Sequence, residues 1–298
     1  MRVLVTGGAG FVGSNIVDAL DARGDLVVAL DDLSTGDRKN LAPDIAFRHA
    51  SVADEKRLLE SVHGEGFDVV VHCAAKTKVV ESMEKEALYR RVIVDGTRNV
   101  LALAGRVNAR LLVNISTGGA MYGETPSCAT EMTPARPDSN YGRFKLEAEQ
   151  LVAESETPSI TLRLANVYGP RQRQDLEGGV VAIFIRKWRE KKPLTVYGDG
   201  SGERDYVYVG DIAEAVTSAF TGDWTGTYNI GTGVATSVNT LIAELTKVLG
   251  PVPGIEHAPE RPVETKRSCI DARKAARDGL WQPKTDLLTG LRRTAELG

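Results

Sequence analysis

Arg2-Val3-Leu4-Val5-Thr6-Gly7-Gly8-Ala9-Gly10-Phe11-Val12-Gly13 decides the fold. Val3-Leu4-Val5 is a short apolar run of the kind that forms a buried strand. Glycines follow at 7, 8, 10 and 13, and Phe11, Val12, Ile16, Val17 and Leu20 then recur at helical spacing. The glycines therefore fall where a strand turns sharply into a helix. Gly8, Gly10 and Gly13 fit G-x-G-x-x-G; Gly7, Gly10 and Gly13 fit G-x-x-G-x-x-G. Both patterns serve the same physics: a tight turn, backbone N–H groups close to a pyrophosphate, and a helix packed against its strand. A second apolar run, Leu26-Val27-Val28-Ala29-Leu30, ends in Asp31-Asp32. That is the spacing at which a carboxylate accepts from the adenosine ribose hydroxyls. A carboxylate there repels a 2′-phosphate, so the pattern favours NAD over NADP.

Outward from this turn the first half alternates apolar runs (3–5, 26–30, 45–47, 69–73, 111–115) with helical patterns (12–23, 54–62, 82–106, 140–156). Such alternation predicts an α/β fold, a doubly wound parallel Rossmann sheet. After Asn166 the pattern loosens into short strands and helices. The expected division is an NAD-binding domain over 1–165 and a smaller, loop-rich lobe over 166–298, with part of 205–230 returning to the first sheet.

Composition narrows the class. A net charge of −3 over 298 residues offers no basic field for nucleic acid. No apolar run approaches the ~18 residues of a membrane span. The chain enters a core strand at once, with no signal-peptide pattern. Cys73, Cys128 and Cys269 are scattered and odd in number, which reads as a reduced set without a disulfide framework. The four histidines show no metal spacing. These features predict a cytoplasmic protein.

The chemical centre is Tyr141-Gly142-Arg143-Phe144-Lys145. A tyrosine and a lysine four residues apart share one helix face. A neighbouring ammonium, helped by a nicotinamide cation, favours phenolate and brings the tyrosine pKa toward the working pH. Tyr141 then becomes a general base for a sugar or alcohol hydroxyl. The run over 111–115 leads into Ser116-Thr117, hydroxyls able to hold the same substrate oxygen.

With these motifs assembled, the chain resembles the extended short-chain dehydrogenase/reductase superfamily, and within it the UDP-glucose 4-epimerases. The resemblance runs nearly end to end. It rests on the glycine turn, Asp31-Asp32-Leu33-Ser34-Thr35-Gly36, His72-Cys73-Ala74-Ala75, Ser116-Thr117-Gly118-Gly119-Ala120-Met121-Tyr122-Gly123 and the Tyr141/Lys145 pair. It extends through Asn166-Val167-Tyr168-Gly169-Pro170, Gly179-Val180-Val181, Tyr197-Gly198-Asp199-Gly200, Arg204-Asp205 and Asn229-Ile230-Gly231. It implies NAD held by Gly7, Gly10, Phe11, Val12, Gly13, Asp31, Asp32, Ser34, Thr35, Gly36, Ser51, Val52, Cys73, Ala74, Ala75, Tyr141 and Lys145. It implies a UDP-sugar held by Thr117, Tyr141, Asn166, Val180, Val181, Thr195, Tyr197, Arg204, Arg261 and Ser268. The reaction implied is C4 epimerisation through a transient 4-keto sugar, in a homodimer built on the helices over 82–106 and 140–156.

Three positions depart from the family pattern. The usual catalytic Ser/Thr falls on Gly118, leaving Thr117, or else Ser116, to serve. The usual asparagine before Gly96-Thr97 is Ile93, and the usual acidic adenine contact is Ser51. Sugar-nucleotide 4,6-dehydratases and decarboxylases resemble the same pattern but carry acidic residues where this chain has Gly118-Gly119. A 4-keto reductase and a non-catalytic NAD-binding regulator are the remaining alternatives. By the same resemblance the residue seven places after Arg261, the small Ser268, leaves room beside the sugar's C2 substituent, so the N-acetylated pair joins UDP-glucose and UDP-galactose as expected substrates.

Overall fold

The structure, a computed structural model, describes residues 1–174, 179–260 and 265–297. Its centre is a seven-stranded parallel sheet: β1 (Arg2–Thr6), β2 (Leu26–Asp31), β3 (Ala46–His49), β4 (Val69–His72), β5 (Leu111–Thr117), β6 (Ser159–Leu164) and β10 (Gly226–Ile230). Their order is β10-β6-β5-β4-β1-β2-β3. The order reverses between β1 and β4, the switch point at which open α/β sheets bind ligands. The strands are nearly continuous apolar runs because helices cover both faces. Val3, Val5, Val69, Val71, Val113 and Ile160 enter one core layer, and Leu4, Val28, Val70 and Leu112 the other.

Helix α1 (Phe11–Ala22) starts on the glycine turn, and α2 (Glu55–Ser61) begins under an Asp54 cap that accepts from the Arg57 N–H. The expected helix over 82–106 is broken in four. Helix α3 (Val79–Glu84) ends at Lys85, α4 (Glu86–Arg90) runs into a π turn over Arg91–Asp95, and α5 (Gly96–Arg106) follows. The β-branched run Val92-Ile93-Val94 is buried inside the π turn. Such residues crowd a regular α-helix, and a π turn relieves that crowding at the cost of poorer hydrogen bonds. Helix α6 (Asn140–Ala153) opens on Ser139, whose side chain accepts from the Gly142 N–H.

The later elements are β7 (Asn166–Tyr168), α7 (Val180–Arg189), β8 (Leu194–Tyr197), β9 (Glu203–Tyr208), α8 (Val209–Ser218), β11 (Ala235–Ser237), α9 (Val238–Leu249), β12 (Ile255–Ala258), β13 (Arg267–Ser268), α10 (Arg273–Arg277) and α11 (Leu287–Leu297). β9 is the hub of a second sheet, pairing with β7, β11 and β13, while β12 pairs with β8. A third core, with Tyr168, Phe184, Trp188, Tyr206 and Leu241, lies beneath these elements. β10 leaves this part of the chain to pair in parallel with β6 at the edge of the main sheet.

The expectation of a fully reduced chain is overturned. Cys128 and Cys269, separated by 141 residues, form a disulfide with Cα atoms 4.5 Å apart. Ala129 and Ile270 make an isolated parallel bridge. The Ala129 N–H donates to the Cys269 carbonyl at 2.9 Å and the Asp271 N–H to the Ala129 carbonyl at 2.8 Å. That backbone pairing brings the two cysteines together. Counting residues cannot reveal it, since an odd total of three allows one bridge and one free thiol. The free thiol is Cys73.

Candidate active site

The glycine turn is built for close approach. A Cβ on Gly13 would lie 2.1 Å from the Gly7 carbonyl oxygen, and one on Gly7, where φ is +68°, would lie 2.7 Å from the Ala74 nitrogen. No side chain fits at either position. The backbone of Cys73 and Ala74 therefore lies directly against the turn. At the end of β2, Asp31 is buried and accepts from the N–H groups of Ala9 and Leu33 at 3.1 and 2.8 Å. Burial raises its pKa, with those backbone bonds opposing. Asp32 accepts from the Ser34 N–H and the Ser51 hydroxyl, each at 2.9 Å. Burial pushes its pKa up, but the bonds from Ser34 and Ser51 outweigh it and hold the carboxyl below its usual range. Ser51 thus supports Asp32 from β3's end. Val52 is buried and packs where Gly96 leaves room for it. A cavity of about 150 Å³ opens between Ser34–Thr35 and the segment Lys76, Thr77 and Lys78. A bare phosphate turn at a helix start, beside paired carboxylates at a strand end, fits a dinucleotide. Ile93, in the usual asparagine position, is buried in an apolar cluster with Tyr89 and Phe144 and offers a ligand no polar atom.

Helix α6 lies against the end of β5. The Thr117 side chain lies close enough to the Tyr141 phenol to favour its ionised form, and the Tyr141 N–H donates to the Ser82 hydroxyl at 3.1 Å. Ser116 is not part of this pair. Its hydroxyl donates to Glu149 at 2.5 Å, inside the protein. The geometry thus separates the two candidate hydroxyls: Thr117 meets the phenol and Ser116 does not. Gly118 has no side chain to offer, and a Cβ there would lie 2.8 Å from Ile270.

Lys145 is buried, and its ammonium donates to the Ile115 carbonyl at 2.7 Å. Burial brings its pKa down to about 8, against the opposing pull of Glu149 and Cys73. The phenol moves the other way. Burial pushes Tyr141 up to about 12, and Thr117 only moderates the rise. The expected lowering by Lys145 is absent in this structure, because the ammonium turns to a strand carbonyl rather than to the phenol. Two neighbours are kept neutral by burial: His72 falls to about 3, with Lys145 adding to the effect, and Cys73 rises to about 12. His72 lies between the hydroxyls of Thr6 and Thr97 at 2.8 and 3.1 Å, a satisfied core imidazole.

The facing wall comes from the second sheet. Asn166 begins β7, and its side-chain Nδ2 is buried with no hydrogen-bond partner among the described residues. A buried amide left unpaired is costly, so an acceptor from a ligand fits here. A Cβ on Gly119 would lie 3.6 Å from the Asn166 amide oxygen and 3.8 Å from the Ser268 hydroxyl. The Ser268 hydroxyl donates to the Gly119 carbonyl at 3.3 Å, and Ser268 is in register with Arg204 across β13 and β9. Four residues from distant parts of the chain thus meet: Gly119, Asn166, Arg204 and Ser268. Arg204 donates to the Glu203 carbonyl at 2.9 Å.

The remaining expected ligands lie further out. Val181 is buried at the start of α7 and Val180 half-buried. Thr195 accepts from Lys187 at 2.6 Å, and Tyr197 is exposed on β8. Arg261 lies outside the described residues. Among the described residues no group of three or more His, Cys, Asp or Glu is placed to hold a metal ion, and no helix is long and apolar enough to cross a membrane.

The sequence reading missed the buried group behind Lys145. Glu149 accepts from Ser116 and, at 2.6 to 3.1 Å, from Arg163. Arg163 donates at 2.8 Å to the Tyr122 hydroxyl, which donates at 2.8 Å to Asn229. One signal was available: Glu149 follows Lys145 by one more helical turn, the spacing that links Tyr141 to Lys145.

A dinucleotide turn, a Tyr/Lys helix face and an unpaired amide across the cleft define an NAD-dependent oxidoreductase-type centre. The chain belongs to the NAD dependent epimerase/dehydratase family, whose model matches residues 3–231. It is 36% identical to the UDP-glucose 4-epimerase of Mycolicibacterium smegmatis, covering 99% of this chain and 98% of the relative. It superposes on the Thermus thermophilus UDP-glucose 4-epimerase in complex with NAD with a TM-score of 0.94 at 38% identity, over 99% and 98% of the two chains. The Thermotoga maritima UDP-glucose 4-epimerase with UDP-glucose gives a TM-score of 0.95 at 35% identity, over 100% and 98%.

Proposed function

We propose that the protein interconverts UDP-glucose and UDP-galactose by epimerisation at C4, using NAD that it retains through the cycle. The carrying observation is the approach of the Thr117 side chain to the Tyr141 phenol, together with the buried Asn166 amide left without a partner among the described residues. Bound NAD supplies the acceptor and donor of the hydride at C4. Tyr141 accepts the proton of the 4-hydroxyl and later returns it. Thr117 holds that oxygen on the phenol. Lys145 presents a positive charge behind the pair, and Asn166 and Arg204 meet the diphosphate, for which amide and guanidinium donors are suited. Gly118 and Gly119 offer no side-chain acid for eliminating water or assisting loss of carboxylate, which favours epimerisation over dehydration or decarboxylation.

We assign the NAD-binding part to 1–165 together with β10, and the sugar-nucleotide part to the elements around β9. Small Gly119 and Ser268 side by side favour acceptance of a C2 N-acetyl group as well. We place the homodimer interface on the helices over 82–106 and on α6; exposed Met83, at the start of the first stretch, lies next to Asn140 at the start of α6. A cytoplasmic setting fits nucleotide-sugar and NAD chemistry. The disulfide points the other way for most organisms, so fractionation combined with thiol trapping is the test of location.

The test of function is to incubate the protein with UDP-glucose and follow UDP-galactose by chromatography, with no added reductant. Turnover that consumes NAD or NADH stoichiometrically would replace the epimerase reading with a net oxidoreductase. Tyr141→Phe keeps the ring and deletes the proton acceptor; it is expected to lower kcat by ~10² to 10⁴-fold with NAD still bound.

A further inference from the structure

Tyr141, Lys145 and Glu149 occupy successive turns of one face of α6, and all three meet the last residues of β5. Tyr141 meets the Thr117 hydroxyl, Lys145 the Ile115 carbonyl and Glu149 the Ser116 hydroxyl. Glu149 and its partner Arg163 are both buried, with side chains 7% and 10% exposed. Both carboxylate oxygens are occupied: Oε1 by Ser116 and Arg163 Nε, Oε2 by Arg163 Nε and Nη2. A buried ion pair is a weak source of stability, and well-packed apolar residues often do as well. Its place directly behind the reactive pair suggests another use.

We propose that Glu149 is a positioning residue for the Tyr141–Lys145 pair: its carboxylate, fixed by Ser116 and Arg163, keeps Lys145 an ammonium. This rests on the reading of Tyr141 and Lys145 as the reactive pair. Burial works against the charge on Lys145, and Glu149 is the foremost group opposing it. The other groups facing the lysine do not substitute. On β4, His72 and Cys73 are held neutral. On β6, Arg163 is itself a cation, paired with Glu149. The charges of α3, α4, the π turn and α5 pair toward solvent: Lys85 with Glu81, Arg90 with Glu147, Arg98 with Asp95. Glu149 touches neither phenol nor substrate, so its effect passes through Lys145.

The sign follows from the charges. Removing the carboxylate lowers the pH at which Lys145 loses its proton. Glu149→Gln keeps the shape and one acceptor oxygen while deleting the charge. It is expected to lower kcat about twofold at pH 7 and close to tenfold at pH 9, to leave KM for UDP-glucose nearly unchanged, to retain NAD, and to move the alkaline limb of the kcat profile down by about one pH unit. Glu149→Asp restores the charge and is expected to recover most of that limb. A folded Glu149→Gln enzyme with its alkaline limb in place overturns the proposal. If that variant does not fold, a Lys145 ammonium that titrates below pH 7 in the wild-type holoenzyme, read by NMR of labelled lysine, overturns it equally. A merely structural pair would lower Tm in these variants and move neither limb. If Tyr141→Phe retains full turnover, the epimerase mechanism fails instead, and the two failures are told apart.

Discussion

The two walls of the cleft are made in different ways. The cofactor wall is local: Gly7, Gly10 and Gly13 lie within one turn, and Asp31 and Asp32 close the next strand. The substrate wall is assembled from Gly119, Asn166, Arg204 and Ser268, which only the pairing of β9 with β7 and β13 and the packing of Gly119 bring together. The first wall is fixed by backbone that admits no side chain. The second is held by long-range contacts and a single covalent tie. Damage to the first should abolish binding outright, and damage to the second should weaken it by degrees.

The largest expected effect is on the local wall. Gly13→Val puts a branched side chain where even a Cβ would lie 2.1 Å from the Gly7 carbonyl oxygen. Backbone has to move, and the phosphate turn with it. The variant is expected to purify without NAD and to show no epimerisation, measured by cofactor absorbance after denaturation and by the UDP-galactose assay. Retained NAD at wild-type stoichiometry would mean that the turn is not the cofactor cradle.

Next comes the covalent tie of the other wall. The Cys128–Cys269 bridge joins the segment after Gly118-Gly119 to the residue after Ser268. A bridge that closes so long a loop stabilises by about 2–5 kcal/mol, chiefly by restricting the unfolded chain. Cys128→Ser with Cys269→Ser, or reduction by dithiothreitol, is expected to lower Tm by several degrees and to raise KM for UDP-glucose while NAD occupancy stays full. A fall in NAD occupancy with KM unchanged would reverse the assignment of the two walls.

This contrast explains what was legible in the sequence. The glycine turn, the strand that ends in Asp31 and the Tyr141/Lys145 face were readable because their residues are close in sequence and their spacing is the signal. The helix over 82–106 misled because its period is real, whereas the π turn answers to crowding among Val92, Ile93 and Val94 that no periodicity records. Thr117 and Ser116 were indistinguishable as neighbours; only packing against α6 gives one to Tyr141 and the other to Glu149. The Glu149–Arg163 pair and the disulfide both join residues whose meeting depends on the finished fold. Asn166 and Ser268 were reached through family resemblance, since nothing local distinguishes either from an ordinary polar residue.

The smallest effect is the sharpest test of the distant wall, and it lies in two adjacent glycines. A Cβ at Gly118 would press on Ile270 at 2.8 Å, inside the core. Ile270 is buried, so relief requires shifting the segment that carries Cys269 and Ser268. A Cβ at Gly119 meets its nearest atoms at 3.6 to 3.8 Å, an ordinary contact, and those atoms are the Asn166 amide and the Ser268 hydroxyl. The protein accommodates that methyl without strain, but a bound sugar nucleotide has to share the space. Gly118→Ala is therefore expected to cost about 1–3 kcal/mol of stability, as overpacking does, and to lower Tm accordingly. Gly119→Ala should leave Tm within a degree or so and raise KM for UDP-glucose a few-fold, with a larger rise for UDP-N-acetylglucosamine. Both variants are read by thermal melting and by steady-state epimerisation of the two sugars. If Gly119→Ala leaves both KM values untouched, the space between Asn166 and Ser268 is not where the sugar nucleotide lies, and the substrate wall has to be sought elsewhere along β9.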